Sequence, residues 1–364
     1  MRVVVVGGGY GGTAVAQELD AAHEVVLVEP KDAFVHASAT LRAVVDPTWQ
    51  DRVFYPYDQL LTRGRVVRDW ARLVSPGRVR FSATEEVTAD VVVLATGTGY
   101  PFPAKFLENR TAVAVAHLER MRADLARCEN VLLVGGGPVG VELAGELTSA
   151  FPDLGVTIVE REPDILMAGD YLPEVRDSVR EQLTARGVRI IAGSPLGYLP
   201  MVDVGRYQEF TVDTAAGERI EAQMWFRCYG ARPATDYLDG ELATARRPDG
   251  LLPVTPELNV VGQTHVFAVG DITDIPESKR ASAARAHAAV VARNIDDLAA
   301  GREPSAVYTP PLEQVILPLG PDGGAAQVGT PDGGRRVLGP AEPSRIKGSD
   351  LFTGEFARMF GLSR

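Results

Sequence analysis

Two runs of branched apolar residues, each followed by glycines and then by a longer mixed stretch, set the pattern of this chain. Val3–Val6 is continuous and β-branched, which is typical of a buried parallel strand. Residues 13–22 then predict a helix, and residues 24–29 predict a second strand. The same succession of strand, helix and strand returns over residues 130–134, 141–151 and 155–160. The pattern therefore predicts a strand–turn–helix–strand unit that occurs twice.

The glycines of the first unit have the spacing G-x-G-x-x-G, at Gly7, Gly9 and Gly12. The first glycine permits a tight turn, the second lets a diphosphate approach the backbone, and the third lets the helix pack on the strand. The free N–H groups and the dipole at the helix start favour the phosphates. Glu29 ends the next strand twenty-two residues after Gly7, where a carboxylate reaches the ribose hydroxyls of an adenosine. This unit predicts a dinucleotide site.

The second unit carries the same fingerprint at Gly135, Gly137 and Gly140. Glu160 ends its second strand twenty-five residues after Gly135, a spacing that still suits the ribose contact. An acid at this point repels a 2′-phosphate and therefore favours NADH over NADPH. Arg161 beside it is able to pair with such a phosphate, so NADPH stays open as an alternative.

Two such sites in one chain imply two dinucleotides with different tasks. Hydride exchange between two nicotinamides would achieve little. A tightly held flavin and an exchangeable nicotinamide instead give an electron store and an electron donor. We therefore expect an α/β protein with two Rossmann-like dinucleotide-binding domains, one for FAD and one for NADH.

Composition and charge narrow the function classes. The net charge of −11 argues against a nucleic-acid partner, because its phosphates would repel the protein. Secretory signals and apolar runs of about twenty residues are missing from the sequence, so we expect a cytoplasmic protein. Cys128 and Cys228 form no C-x-x-C pair and the five histidines do not cluster. Neither a redox disulfide nor a metal site is therefore expected.

Three further segments carry a resemblance to a known family. Residues 91–103 resemble the A-T-G segment that leads out of a flavin domain, residues 225–238 the segment that crosses back, and residues 265–295 the final flavin motif. With the two fingerprints, they are similar to FAD-dependent pyridine nucleotide oxidoreductases of the glutathione-reductase fold type. The segments LVEPKDAFVHASATLRAVV, ESKRA and IKGSDLF resemble the ferroptosis-suppressor branch of AIF-like flavoproteins, which neighbours the type II NADH:quinone oxidoreductases.

The resemblance implies a nicotinamide domain inserted into a flavin domain. The flavin domain would consist of residues 1–104 and 235–303, and the inserted nicotinamide domain of residues 105–234. Residues 304–364 would form a C-terminal interface or acceptor-site segment. Strand–turn–strand patterns at 78–95 and 208–226 place a similar meander in each domain. The Gly- and Pro-rich stretch after residue 304 predicts hairpins and loops.

The resemblance also implies a two-step reaction, in which NADH reduces a non-covalently bound FAD and the flavin then reduces a quinone-like acceptor. By position, FAD would be held by Gly7, Gly9, Gly12, Glu29, Lys31, Arg42, Val66, Thr96, Gly97 and Asp271. NADH would be held by Gly137, Gly140, Glu160 and Gly230. Lys279 would lie near the pyrimidine end of the flavin, where a cation stabilises the reduced ring. Glu142 would lie near the contact of flavin and nicotinamide, for positioning or proton handling. Ordinary surface or ion-pairing roles stay open for these charged residues.

Other functions stay open as well. A reductase of a small redox protein such as ferredoxin would need a basic docking patch, for which the only hint is a group of clustered arginines, Arg63, Arg65, Arg68, Arg72, Arg78 and Arg80. A flavin-based redox sensor or AIF-like binding protein would form long-lived reduced complexes with NADH. The acceptor could also be a small metabolite. Arg2 replaces the glycine of the animal members' myristoylation site, so contact with a membrane surface is not expected.

The last segment predicts an amphipathic helix. Ser349 is a candidate N-cap, and Phe352, Phe356, Met359 and Phe360 fall on one helical face. We favour a helix that closes the core or a dimer interface over one that lines the acceptor site or touches a membrane.

Overall fold

The computed structural model describes residues 1–81 and 85–362. Its strands, β1 to β21 in chain order, are Arg2–Val6, Glu24–Val28, Ala33–Val35, Phe54–Pro56, Arg65–Val67, Leu73–Ser75, Arg78–Arg80, Glu86–Thr88, Val91–Leu94, Thr98–Gly99, Asn130–Val134, Gly155–Val159, Arg189–Ile191, Phe210–Asp213, Arg219–Ala222, Met224–Arg227, Arg232–Pro233, Val266–Ala268, Val315–Pro318, Gly324–Gly329 and Arg335–Leu338. Its helices, α1 to α9, are Tyr10–Leu19, Ala37–Val45, Thr111–Leu125, Pro138–Ala150, Pro173–Ala185, Gly240–Ala245, Ala281–Ala299, Ala341–Pro343 and Thr353–Met359.

A five-stranded parallel sheet in the order β18-β9-β1-β2-β5 forms the first half of the molecule. Val3 and Val5 of its central strand pack towards α1 and α7, whereas Val4 and Val6 pack towards β6, β7 and β8. Both faces of the sheet are therefore covered, which explains the uninterrupted apolar run. Strand β18 comes from beyond the second glycine fingerprint, so two distant stretches of chain complete one sheet.

A four-stranded parallel sheet in the order β13-β12-β11-β16 forms the second half. Helix α4 follows β11, as α1 follows β1, and the antiparallel pair β14–β15 covers one face of this sheet, as β6–β8 covers the first. The predicted α/β fold with two Rossmann-like units is confirmed, and so is the repeated strand hairpin. Residues 82–84, in the predicted turn of the first hairpin, lie outside the described residues.

The two segments that connect these halves run side by side. Strand β10, on the way out of the first sheet, pairs antiparallel with β17 on the way back, with Thr98 opposite Pro233 and Gly99 opposite Arg232. Thr96 Oγ1 donates a 2.6 Å hydrogen bond to the carbonyl of Ala234. The chain therefore leaves the first half and returns to it at one place.

The C-terminal part contains the hairpins predicted from its glycines and prolines. Strands β19, β20 and β21 form an antiparallel sheet, and the short helix α8 and a π turn at Ser344–Gly348 follow it. Gly145 of α4 lies so close to Leu319 that a Cβ atom would overlap the backbone there. The C-terminal sheet is thus pressed against the helix of the second glycine fingerprint.

The predicted start of the last helix was wrong. Ser349 does not cap it, because the π turn continues to Gly348 and the chain then reverses through Leu351 and Phe352, whose φ angles are 50° and 63°. Helix α9 begins only at Thr353, so Phe352 lies outside the predicted apolar face. Phe356 and Phe360 are buried with the aromatic residues Phe34, Tyr55 and Tyr57, as expected for a helix that closes the core.

Candidate dinucleotide and redox site

The first glycine turn has the shape that a dinucleotide requires. Gly7 has a φ of +103°, which favours glycine, and a Cβ on Gly12 would overlap the carbonyl oxygen of Gly7. A Cβ on Gly9 would meet no atom within 4 Å. The outer glycines are therefore needed by the fold, and the middle one faces open space, where a diphosphate approaches the backbone.

The second glycine turn repeats this division of roles. Gly135 has a φ of +110°, and a Cβ on Gly140 would overlap the carbonyl oxygen of Gly135. A Cβ on Gly137 would again meet nothing within 4 Å. The backbone of both turns therefore fits the dinucleotides that the sequence predicts.

The two acids at the strand ends make matching contacts. Glu29 accepts hydrogen bonds from the backbone N–H groups of Gly8 and Lys31, at 2.7 and 2.9 Å. Glu160 accepts them from Gly136 and Glu162, at 2.6 and 2.8 Å. Burial raises the pKa of Glu29 despite its two N–H donors. Each carboxylate is thus fixed beside its glycine turn, in the place predicted for a ribose contact.

Lys31 and Val66, both predicted to hold FAD, lie after β2 and in β5. Lys31 Nζ donates to the carbonyls of Phe106 and Glu108, each at 2.8 Å, and burial lowers the pKa of this lysine. Lys31 is therefore a link to the outgoing segment rather than a free surface charge. Val66 is the central residue of β5 and is half-buried.

The predicted flavin motif is joined to the outgoing segment. Asp271 accepts a 2.8 Å hydrogen bond from Thr98 Oγ1 and lies 3.5 Å from Lys105 Nζ. Lys105 also donates to the carbonyl of Thr98. Gly97 has a φ of +62°, and a Cβ there would meet nothing within 4 Å. Lys105 was not predicted from the sequence, although it lies only two residues beyond the segment 91–103 that resembles the family.

Arg42, Glu142 and two further charged side chains form ion pairs that join α4 to the first half and to the C-terminal segment. Arg42 of α2 pairs with Glu146 of α4 at 2.8 Å, both side chains are 5% exposed, and Arg42 also donates to the carbonyl of Gly348. Glu142 pairs with Lys347 at 2.9 Å, both 15% exposed. Glu146 was not singled out from the sequence, where its spacing from Glu142 reads only as one turn of helix. Arg42 is thus buried and ion-paired, and Glu142 has the neighbouring cation that was weighed as its alternative role.

Lys279 is held inside its own loop. Its Nζ donates to the carbonyls of Thr273 and Ile275, at 2.7 and 2.9 Å, and burial lowers its pKa. The backbone of this loop thus fixes the ammonium group a few residues beyond Asp271.

The environments of the two cysteines favour the protonated thiol over the reactive thiolate. Burial raises the pKa of Cys128 to about 11 and that of Cys228 to about 12. Cys228 lies directly under the second glycine turn, where its Cβ packs against Gly140. A thiol that stays protonated is a poor nucleophile, so neither cysteine suits a disulfide-exchange step.

Comparison with known proteins agrees with this geometry. A family model described as pyridine nucleotide-disulphide oxidoreductase matches residues 1–290. Ferroptosis suppressor protein 1 of Taeniopygia guttata is 32% identical over 99% of this chain and 96% of its own length. Apoptosis-inducing factor homolog B of Dictyostelium discoideum is 28% identical over 96% of this chain and 94% of its own.

The fold is also found among solved structures. The sulfide:quinone oxidoreductase of the hyperthermophilic bacterium Aquifex aeolicus superposes with a TM-score of 0.76 at 16% identity, covering 99% of this chain and 91% of that one. Within residues 1–81 and 85–362, no helix combines the length and apolarity needed to cross a membrane. The resemblance inferred from the sequence is confirmed: the chain belongs to the pyridine nucleotide-disulphide oxidoreductase family and is an oxidoreductase of the kind that uses FAD and NAD(P)H.

Proposed function

We propose that this protein is an NADH-dependent flavoenzyme that passes electrons to a quinone-like acceptor. The observation that carries the proposal is the pair of matching glycine turns, each open only at its middle glycine and each flanked by a fixed carboxylate. FAD bound at the first turn would accept a hydride from the nicotinamide and supply electrons to the acceptor.

The residues proposed to hold FAD surround the first sheet's carboxyl edge. Gly9 and the start of α1 would face the diphosphate, and Glu29 the adenosine ribose. Asp271 would orient the ribityl–diphosphate part, with Thr98 and Lys105 holding its carboxylate in place. Lys279 follows Asp271 in the chain and is proposed to add a positive charge near the flavin. Its ammonium group is held by two backbone carbonyls.

NADH is proposed as the donor because of the charges around the second acid. Glu160 is fixed by two backbone N–H groups, and Glu162 follows two residues later. Arg161, the one cation beside them, pairs with Glu162 at 2.9 Å. A 2′-phosphate would therefore meet two carboxylates and an arginine that is already paired, which disfavours NADPH.

A quinone-like acceptor is supported by two observations. The two thiols have raised pKa values and do not suit a disulfide substrate. The sulfide:quinone oxidoreductase shares this fold over nearly the whole chain. Reduction of a quinone also consumes a proton beyond the hydride, and Glu142, which pairs with Lys347 of the C-terminal segment, is proposed for proton handling there.

An anaerobic titration tests the proposal. The FAD-loaded protein is reduced with NADH while the visible absorption of the flavin is monitored. A soluble naphthoquinone is then added. We expect the absorption to bleach and to return promptly with the quinone. A flavin that bleaches but stays reduced would contradict the acceptor and favour the redox-sensor alternative. A protein that takes up no FAD would contradict the cofactor assignment itself.

A further inference from the structure

Arg227 is an arginine that has no carboxylate partner among the described residues. Its buried Nε donates to no acceptor, and no carboxylate lies within ion-pair distance of its guanidinium, among residues 1–81 and 85–362. A buried donor without an acceptor is costly to folding and rare in native proteins. Such a group therefore calls for an explanation outside the packing of the chain.

The position of Arg227 in the sheet suggests that explanation. It is the last residue of β16 and pairs in register with Val134, the residue directly before the second glycine turn. In the strand order β13-β12-β11-β16, Glu160 follows β12 on one side of that turn, and Arg227 ends β16 on the other. A dinucleotide with its adenosine ribose at Glu160 and its diphosphate on the turn would extend its nicotinamide half over β16.

The guanidinium of Arg227 lies near residues of both connecting segments. Its central carbon is 4.6 Å from the centre of the Tyr229 ring, and a Cβ on Gly230 would lie 2.9 Å from its Nη2. Burial raises the pKa of Tyr100, on the outgoing segment, and the nearby charge of Arg227 opposes that rise. Arg227 is thus held between the residues that leave the first half and those that return to it.

We propose that Arg227 binds the diphosphate of NAD(P)H on its nicotinamide side. The proposal rests on the function proposed above, because it requires the dinucleotide to occupy the second turn. Residues 135–140 contain no lysine or arginine, so the turn offers only backbone N–H groups to two negative phosphates. In a chain of net charge −11 a fixed guanidinium fork supplies the missing cation, with the bidentate geometry that phosphate oxygens favour.

The test uses the FAD-loaded protein and three ligands that share the adenosine. AMP lacks the diphosphate, ADP-ribose carries it without the nicotinamide, and NADH carries both. The variants are Arg227→Leu and Arg227→Lys. Arg219→Leu is the matched control, because Arg219 lies on the neighbouring hairpin with 69% of its side chain exposed and is paired with Glu221. Affinities are measured by calorimetry, anaerobically for NADH.

We expect Arg227→Leu to weaken the binding of ADP-ribose and of NADH equally, by about 10- to 100-fold, and to leave the affinity for AMP unchanged. The affinities of Arg227→Lys for ADP-ribose and NADH should lie between those of Arg227→Leu and the unmodified protein. Arg219→Leu should bind all three ligands as the unmodified protein does. FAD content should stay the same. The melting temperature without nucleotide should be unchanged or higher in Arg227→Leu, because a buried donor without an acceptor has been removed.

Three results would overturn the proposal. If Arg227→Leu weakens NADH but not ADP-ribose, the residue acts on the nicotinamide and not on the diphosphate. A lower melting temperature with an equal loss for all three ligands would indicate a structural role. Unchanged affinities in the variant refute this inference alone, whereas an unmodified protein that binds neither ADP-ribose nor NADH refutes the proposed function with it.

Discussion

At the scale of single residues, buried ionisable groups have environments that set their proton occupancy. His36 shows this most clearly, because its ring is 1% exposed and both nitrogens are engaged. Nε2 lies 2.6 Å from the carbonyl of Leu351, and Nδ1 lies 2.9 Å from the hydroxyl of Tyr10. A carbonyl only accepts, so the ring proton is on Nε2, and Tyr10 donates to Nδ1. The neutral ring thus ties the flavin half to the C-terminal segment.

We expect His36 to make folding sensitive to acid. Burial lowers the pKa of His36 from 6.5 to about 4. The unfolded chain therefore takes up this proton first, and stability that is fully present above pH 6.5 is lost as the pH falls towards 4. The loss at pH 4.5 should be about 2 to 3 kcal/mol. Urea unfolding at pH 7.5 and pH 4.5 measures it.

The variant His36→Gln isolates this contribution from other acid-sensitive groups. Between pH 7.5 and pH 4.5, the unfolding free energy of this variant should fall by about 2 kcal/mol less than that of the unmodified protein. Between pH 7.5 and pH 9 the variant and the unmodified protein should have parallel pH profiles, since His36 is neutral in both states. Equal losses on acidification would show that His36 does not carry the effect.

At the scale of elements, the sequence correctly predicted the features that depend on the spacing of neighbouring residues. The glycine fingerprints, Glu29 and Glu160 depend on a strand, a turn and a helix in sequence, and all lie at the predicted turns and strand ends, whereas their part in dinucleotide binding stays a prediction. The last helix was placed wrongly because its start depends on the preceding π turn and on two left-handed residues that no cap or periodicity announces. Lys105 was missed because its contact with Asp271 joins residues far apart in sequence, and Arg227 because its surroundings form only where the two connecting segments meet.

The middle glycines allow the two turns to be tested separately. Gly9→Ala and Gly137→Ala each add a methyl group where no atom lies within 4 Å, so both proteins should fold. Gly9→Ala should reduce bound FAD. Gly137→Ala should keep its FAD and weaken NADH by about tenfold or more. Flavin absorbance per protein and anaerobic NADH titration give the two readings.

Gly140→Ala serves as the contrasting variant, because its methyl group would overlap the carbonyl oxygen of Gly135. It should lower the melting temperature, which Gly137→Ala should not. Loss of FAD in Gly137→Ala, with normal folding, would mean that the second turn does not serve the nicotinamide alone.

At the scale of the whole molecule, an ion pair and a hydrogen bond of Arg42 link three stretches that are far apart in sequence. Arg42 belongs to the first half, Glu146 to the helix after the second glycine turn, and the carbonyl of Gly348 to the C-terminal segment. The assignment of Arg42 to FAD rests on its position within a family segment and stays a prediction. Long-range pairing of this kind leaves no trace in local spacing. The proposed boundaries at residues 104, 234 and 303 likewise stay a prediction.

A double-mutant cycle measures this link. Glu146→Leu alone leaves a buried guanidinium without its carboxylate and should cost about 3 to 5 kcal/mol of unfolding free energy. Arg42→Met with Glu146→Leu should restore most of that loss, since the apolar pair fills the same space. Breaking the exposed pair Arg2–Glu24, whose side chains are 41% and 58% exposed, should cost less than about 1 kcal/mol. Additive losses at Arg42 and Glu146 would contradict a direct coupling.

The side-by-side strands β10 and β17 have a mechanical consequence. Because the chain enters and leaves the second half at one place, a rigid-body rotation about that short ribbon would require changes in only a few backbone dihedral angles. The covalent connections thus leave one hinge between the halves. The non-covalent contacts of α4 with Arg42, Lys347 and Leu319 restrain rotation about this hinge. The C-terminal segment, although it supplies no strand to either parallel sheet, would then limit how far the two halves can rotate against each other.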